Sequence, residues 1–449
     1  MTAIAEDLRL KDLNSSNFAA LVKDWQEPAW LTELRLQAFG EYASLAWPDS
    51  RDPKWKRSKL EQLRWDELVL HANPRRSGGG ISEEVTRLVG KPSGNGSDSA
   101  RYICDLAEGF QFDGGSLLSK QQVSWIPLAE AIRTKSERVR QAWTSAVAQA
   151  KGNKFLSLAL AVGHTGYCLF VPKNTVLKSP LLSYVVGRSD GQARFPLQFI
   201  FVEESSEIQF WEELRSPEGT GGCPGLVTSF SFIDLGANAK AELYYLQQWG
   251  PGINHLQFQS IHQGAQSRLR AIAVAVGGLN FRNEILIELA GRGAENKILG
   301  LLFGERNQNV ENWITQNHVA PRTTSDIQYR GALKGSSRSF FSGMVSISKE
   351  AQQSDAYQSV KCLLLSPNAH ADAIPNLEIL ADDVKCSHGA AVGQVDEDQR
   401  FYLQTRGIAP DLAEEIIVQG FFEPVIAEVP SEAIQERLRS FVEEKLHRP

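Results

Sequence analysis

The sequence predicts a mainly β protein, a parallel β-helix core set between helical ends, on the strength of three observations. After Gly166, runs such as Leu197-Gln198-Phe199-Ile200-Phe201-Val202, Ile208 to Trp211 and Leu226 to Ile233 are β-branched or aromatic and are separated by polar turns. This character persists for more than two hundred residues, without the alternating helices that βαβ crossovers need and without a Pro-rich linker. Gly-Ala pairs recur at Gly236-Ala237, Gly264-Ala265, Gly293-Ala294 and Gly331-Ala332, in steps of 28, 29 and 38 residues, each read as a turn before a new strand. A β-helix fits because each coil needs two or three short strands joined by tight turns, and stacking the coils buries one continuous core. A β-sandwich, single or double, tolerates the same irregular steps and stays open on these grounds.

Taken in order, Asn17 to Leu70 reads as a helical cap rich in tryptophan (Trp25, Trp30, Trp47, Trp55, Trp65), with Leu31, Leu34, Ala38 and Tyr42 at three- and four-residue steps. Pro74 to Gly80 and Lys91 to Ser99 have the composition of linkers. A further helix is expected over Leu128 to Ala150, with Ile132, Val139, Trp143 and Val147 on one side and a stop at Gly152. From Thr405 the helical period returns. Leu412, Ala413, Ile416, Ile417, Gly420 and Phe421 line a helix opened by Asp411 and expected to end at Pro424. Ser431 caps a second helix carrying Ile434, Leu438, Phe441, Val442 and Leu446. Both stripes suit packing on the β core or docking of a partner. The expected division is therefore 1–160, mainly helical with linkers near 74–80 and 91–99; 161–400, the β core; and 401–449, helical.

Several function classes lose their support. With 449 residues and 42% hydrophobic content the chain can bury a large core, and 47 basic against 53 acidic residues create no field to hold nucleic acid or an anionic membrane. Its longest apolar runs, Leu158 to Val162 and Ala271 to Val276, fall far short of the ~20 residues of a membrane span. The first ten residues carry Glu6, Asp7 and Arg9 and no apolar stretch, so neither a secretory signal nor a transit peptide is expected. Five scattered cysteines (Cys104, Cys168, Cys223, Cys362, Cys386) read as reduced thiols of a cytoplasmic protein. Without Cys-x-x-Cys or His-Glu-x-x-His, no complete four-ligand metal site is expected locally. Gly90-Lys91-Pro92 and Lys334-Gly335-Ser336 fail as phosphate loops, and neither a nucleophile elbow nor a dinucleotide fingerprint appears. Asp382-Asp383 invites the alternative of a stand-alone β-helix carbohydrate-active enzyme. Adjacent strand residues point to opposite faces, however, which suits concerted acid and base work poorly.

The segment with the most chemistry is Lys385-Cys386-Ser387-His388-Gly389. On an extended strand Cys386 and His388 share a face, their Cα atoms about 6.5 to 7 Å apart, and a soft thiolate beside an imidazole suits iron or zinc. Lys385 is placed to lower the thiol pKa, though in a regular strand it points the other way. Residue types alone favour a buried structural cysteine with a hydrogen-bonded histidine over a ligand pair.

A longer stretch, Asn312 to Phe422, carries a resemblance. His318-Val-Ala-Pro321, Tyr329-Arg-Gly-Ala-Leu-Lys-Gly335, Phe341-Ser-Gly-Met-Val-Ser-Ile347, Ala351-Gln-Gln-Ser-Asp355, Leu377 to Gly389, Phe401-Tyr-Leu403 and Arg406-Gly407-Ile408 resemble the SufD family, subunits of the SUF iron-sulfur cluster assembly system. The likeness extends more weakly over Tyr167 to Asn174 and Pro28 to Trp55. Ser387-His388-Gly389-Ala390 departs from the Glu-His-Glu-Ala typical of the paralogous SufB. The resemblance implies a right-handed parallel β-helix between two helical domains, and a non-catalytic scaffold. It also implies a SufB-like partner paired through the C-terminal coils and a SufC-like ABC ATPase bound to the C-terminal helices, where Leu412, Ile416, Ile417 and Phe421 are the contact candidates. On the same basis His388, with Cys386 beside it, serves a nascent iron-sulfur cluster at the partner interface, a shared metal ligand at most. No cluster is expected on the isolated chain.

Overall fold

The computed structural model describes residues 8–59, 63–70, 80–90, 100–107, 109–217, 223–429 and 431–447. The expected linker at 91–99, and all but the last residue of that at 74–80, lie outside the described residues.

Two stacked sheets form a β-solenoid in which each full coil gives one strand to each sheet, and the strands from Thr165 onward pair with one another in parallel. In the first sheet Asn280 pairs with Asn309 and Asn309 with Arg338, a step of 29 residues each time. In the second, Arg268 pairs with Glu295 and Glu295 with Thr324, steps of 27 and 29. The strands are longer than the apolar runs that announced them: Gly225–Leu235 has 11 residues and Thr324–Leu333 has 10. In Gly225–Leu235 both faces carry apolar residues: Val227, Ile233 and Leu235 lie in the core between the sheets, and Leu226 and Phe230 pack with the N-terminal helices. Ile285, Ile287, Ile298, Ile314, Ile327 and Val360 meet between the sheets in one core, each worth about 1.5–3 kcal/mol when fully buried.

The repeat is marked at the corners. Where the chain turns from the first sheet to the second, Asn238, Gln266, Gly293, Arg322 and Gln353 adopt left-handed backbone (φ 57, 57, 71, 60 and 63°). Each donates its N–H to a carbonyl of the next coil, as Asn238 does to Ala265 at 2.8 Å and Arg322 to Gln352 at 2.9 Å. Three of the four Gly-Ala pairs sit at this corner. The fourth, Gly331-Ala332, lies inside the strand Thr324–Leu333, where a Cβ on Gly331 would come within 3.2 Å of the Cys362 sulfur. Its coil turns at Pro321-Arg322 instead, which is why the apparent step of 38 broke the rhythm.

Helices cover the outer flanks of the two sheets. Asn14 caps Ser15–Trp25 with a reciprocal bond to Asn17, and Ala29–Ser44 follows. The helical cap expected to reach Leu70 stops at Ser44, just ahead of Pro48 and Pro53. Trp47, Trp55 and Trp65 pack instead around Phe155, with ring centroids 5.8, 4.7 and 5.2 Å away. The helix expected over Leu128 to Ala150 is two, Leu128–Thr134 and Ser136–Gln149, broken at Lys135. Strands also form before residue 161: Ala100–Asp105 and Ser124–Pro127 extend the two sheets at their N-terminal ends.

The chain ends in three helices, Glu397–Thr405, Pro410–Ile426 and Glu432–His447, the last two packed on the outer flank of the second sheet. Pro424 does not end its helix, which continues to Ile426. The proline removes one hydrogen bond, and Val425 and Ile426 anchor the last turn against Leu299, Leu301 and Phe303 of the solenoid.

Candidate functional site at the open end of the solenoid

The two sheets begin on antiparallel strands, Gly109–Asp113 and Ser124–Pro127, and at the other end the solenoid stays open. Val384–Gln394 pairs along its whole length with Ser354–Leu364, Cys386 beside Ala356 and His388 beside Gln358, and is the last strand of its sheet. His370–Ile379 ends the other sheet in the same way. Half the backbone N–H and C=O groups of each terminal strand therefore face away from any strand.

Burial follows from this position. Ser354, Ala356, Gln358, Val360 and Cys362 point inward and are buried because a further coil covers them, whereas His388, Ala390 and Val392 at the matching places are exposed. Cys386 is half-buried against Val345, Ile347 and Ala356. Burial pushes its thiol up, and the Asp355 carboxylate adds to the shift, while a backbone hydrogen bond at Ala356 opposes both. Lys385 lies exposed on the opposite face, as a regular strand requires, and does not reverse this.

Beneath His388, Gln358 is completely buried. Its Nε2 donates to the Asn376 carbonyl at 3.3 Å, and its Oε1 has no partner. That oxygen occupies the space over Gly343, where a Cβ would approach it to 2.0 Å. Around the end, Tyr357, Ile374, Ile379, Leu380 and Val392 leave large apolar surfaces exposed, a cluster of the kind that marks a docking face. A thiol and an imidazole supply only part of the ligand set a cluster needs. Asp382 and Asp383 occupy the corner before the last strand, where Asp383 accepts the Gln353 N–H on its carbonyl at 2.6 Å and donates its own N–H to Gln352 Oε1 at 2.9 Å.

The second group of sequence-predicted residues is separate. The helix Pro410–Ile426 turns Val418 and Phe422 to the solenoid, buries Ala413 as well, and leaves Leu412 and Ile416 48% and 39% exposed. Ile417 and Phe421 are half-buried; the Arg330 guanidinium lies 5.2 Å from the Phe421 ring and also donates to the Phe421 carbonyl. The stripe read as one face is thus divided between two. Reading the sequence for a contact surface missed Phe401 and Tyr402, 67% and 56% exposed on Glu397–Thr405, a helix that buries no side chain. Adjacent aromatics on a short polar helix were the available signal. Among the described residues no helix is long and apolar enough to cross a membrane, and all five cysteines are free.

Comparison with known proteins adds an independent line. The family model described as SUF system FeS cluster assembly, SufBD core domain, matches residues 185–421. The iron-sulfur cluster assembly protein SufD of Bacillus subtilis is 28% identical over 428 residues, spanning 94% of this chain and 95% of that protein. An iron-sulfur cluster assembly SufBD family protein of Staphylococcus haemolyticus is 25% identical over 428 residues, spanning 92% and 89%.

Proposed function

This chain belongs to the SufBD core family of the SUF iron-sulfur cluster assembly system, and on that premise we propose that it is a cytoplasmic, non-catalytic scaffold subunit whose open solenoid end docks a SufB-like paralogue. Its role lies in iron-sulfur cluster assembly. The observation that carries the docking reading is the free edge of Val384–Gln394, which presents Cys386 and His388 beside exposed apolar side chains. An edge strand offers main-chain hydrogen bonds to a second strand, and flanking pockets supply specificity. On this reading the nascent cluster is cargo held at the junction. His388 contributes a neutral imidazole and Cys386 a thiolate once iron or a partner cation displaces its proton, with the remaining ligands coming from the paralogue.

A SufC-like ATPase docks on the C-terminal helices, with Leu412 and Ile416 as the principal contacts, Phe401 and Tyr402 beside them, and Ile417 and Phe421 supporting from below. The absence of a phosphate-loop sequence supports a division of labour in which ATP is bound by that partner.

The test is anaerobic purification of the three-component complex with His388→Ala, followed by iron and sulfide analysis and transfer to an apo target protein. An intact complex with at least a fivefold loss of transfer is expected. Normal transfer would remove His388 from the ligand set, and loss of the complex would make it a docking residue only. Leu412→Asp with Ile416→Asp is expected to release the ATPase alone.

A further inference from the structure

The segment 54–59 crosses the outer face of the first sheet and reaches its terminal strand, and we infer that it is a strap that holds the open coil for docking, with Arg57 as the positioning residue. Its anchor is Arg282 on the strand Asn280–Leu289. That guanidinium lies 4.0 Å from the Trp55 ring and 4.6 Å from the Trp313 ring, and it bonds the buried Glu311 carboxylate at 2.8 Å. It also donates to the Lys54 carbonyl at 2.8 Å and to Ser58 Oγ at 3.1 Å, so both ends of the strap are tied to one side chain. One strand further, Asn309 Nδ2 donates to the Arg57 carbonyl at 3.4 Å. Two strands further, the Arg57 guanidinium lies 4.3 Å from the Phe340 ring of Arg338–Ile347. It then bonds Asp372 Oδ2 at 3.2 Å, on the terminal strand His370–Ile379 itself.

The terminal strand needs such a brace. It pairs with a neighbour on one edge only, and its inward residues Ala373, Pro375 and Leu377 are only partly buried because no further coil covers them. Pro375 lacks an N–H to donate. The Arg57 contact is half-exposed, so ion pair and ring contact together contribute modestly, and removing them is expected to loosen this strand without unfolding the chain. The inference rests on the reading that the open end docks a second solenoid.

The experiment compares the full chain with Arg57→Ala and Arg57→Lys by hydrogen exchange, alone and bound to the SufB-like paralogue. In the isolated Arg57→Ala chain, amides of 370–379 are expected to exchange about three- to tenfold faster while those of 280–289 keep their rates and the thermal midpoint is unchanged. Dissociation from the paralogue should quicken by a similar factor, and Arg57→Lys should recover part of both effects. Unchanged exchange at 370–379 overturns the strap, whatever the partner does. Faster exchange with unchanged dissociation overturns its role in docking. Substitutions within Val384–Gln394 test the docking edge separately, so a paralogue that ignores those as well places the failure in the proposed function and not in the strap.

Discussion

Two neighbouring strands, Ser354–Leu364 and Val384–Gln394, have the same length and lie in register, yet one is core and the other is surface. Gln358 in the first is completely buried, and His388 beside it in the second is exposed. Nothing in the local residue pattern separates them. What differs is whether a further coil follows, so in a solenoid the position in the stack decides burial and chemistry as much as the side chain does.

The largest effect that sharpens this contrast is a cavity. Ile327→Ala, in a strand paired on both edges, is expected to cost about 2–5 kcal/mol, whereas Val392→Ala on the last strand should stay within about 0.5 kcal/mol. Urea unfolding of the isolated chains measures both. Equal costs would mean that the terminal coil is packed like the interior.

Histidine gives the next contrast. His318 is buried and bridges Thr323 Oγ1 at 2.7 Å and Ser325 Oγ at 2.9 Å, and burial lowers its pKa to about 4. The unfolded imidazole titrates near its ordinary 6.5. Between these values the unfolded chain holds a proton that the folded chain refuses, so its contribution is complete above pH 6.5 and is lost as pH falls toward 4. A shift of this size corresponds to roughly 3 kcal/mol. His255, buried and lowered to about 3 by the same cause, adds acid sensitivity of the same sign. Urea midpoints at pH 7 and pH 4.5 should therefore differ markedly, and His318→Gln should narrow the gap.

The smallest effect concerns the thiols. Burial pushes Cys362 up to about 12, while Cys386 is raised less completely and is partly open. Alkylation at pH 8 should reach Cys386 well before Cys362. Asp355→Asn removes the carboxylate that helps raise the Cys386 thiol and should quicken its reaction about two- to threefold. An unaltered rate would leave burial as the whole cause.

Much of the fold was legible because strands buried on both faces read as continuous apolar runs. In Leu197 to Val202, Ile200 and Val202 lie in the core between the sheets while Leu197, Phe199 and Phe201 pack with the N-terminal helices, and three Gly-Ala pairs lie at the corner where a left-handed residue is needed. Arg322 and Gln353 fill the same corner without glycine, so the rhythm was misread at Gly331-Ala332. The helical reading of 45–70 failed for a different reason: Trp47, Trp55 and Trp65 fit a helical pattern by spacing but serve aromatic packing around Phe155, which lies about a hundred residues away in sequence. Of the candidate site, the pairing of Cys386 and His388 on one face came from strand periodicity alone. The buried Gln358 beneath them and the division of the Leu412 to Phe421 stripe did not, since both depend on a neighbour one coil or one helix away.

By itself, then, the sequence determined the β period, the helical ends, the thiol–imidazole pair and the family, because each is written in local spacing or in residue identity. Only the tertiary structure decided that the pair stands on an unpaired edge, that burial and Asp355 raise the Cys386 thiol, and that Arg57 reaches Asp372 across 315 positions of chain. The physical reason is that burial, edge pairing and electrostatic environment belong to contacts between coils. Those contacts join residues about thirty or several hundred positions apart, and no local pattern records them.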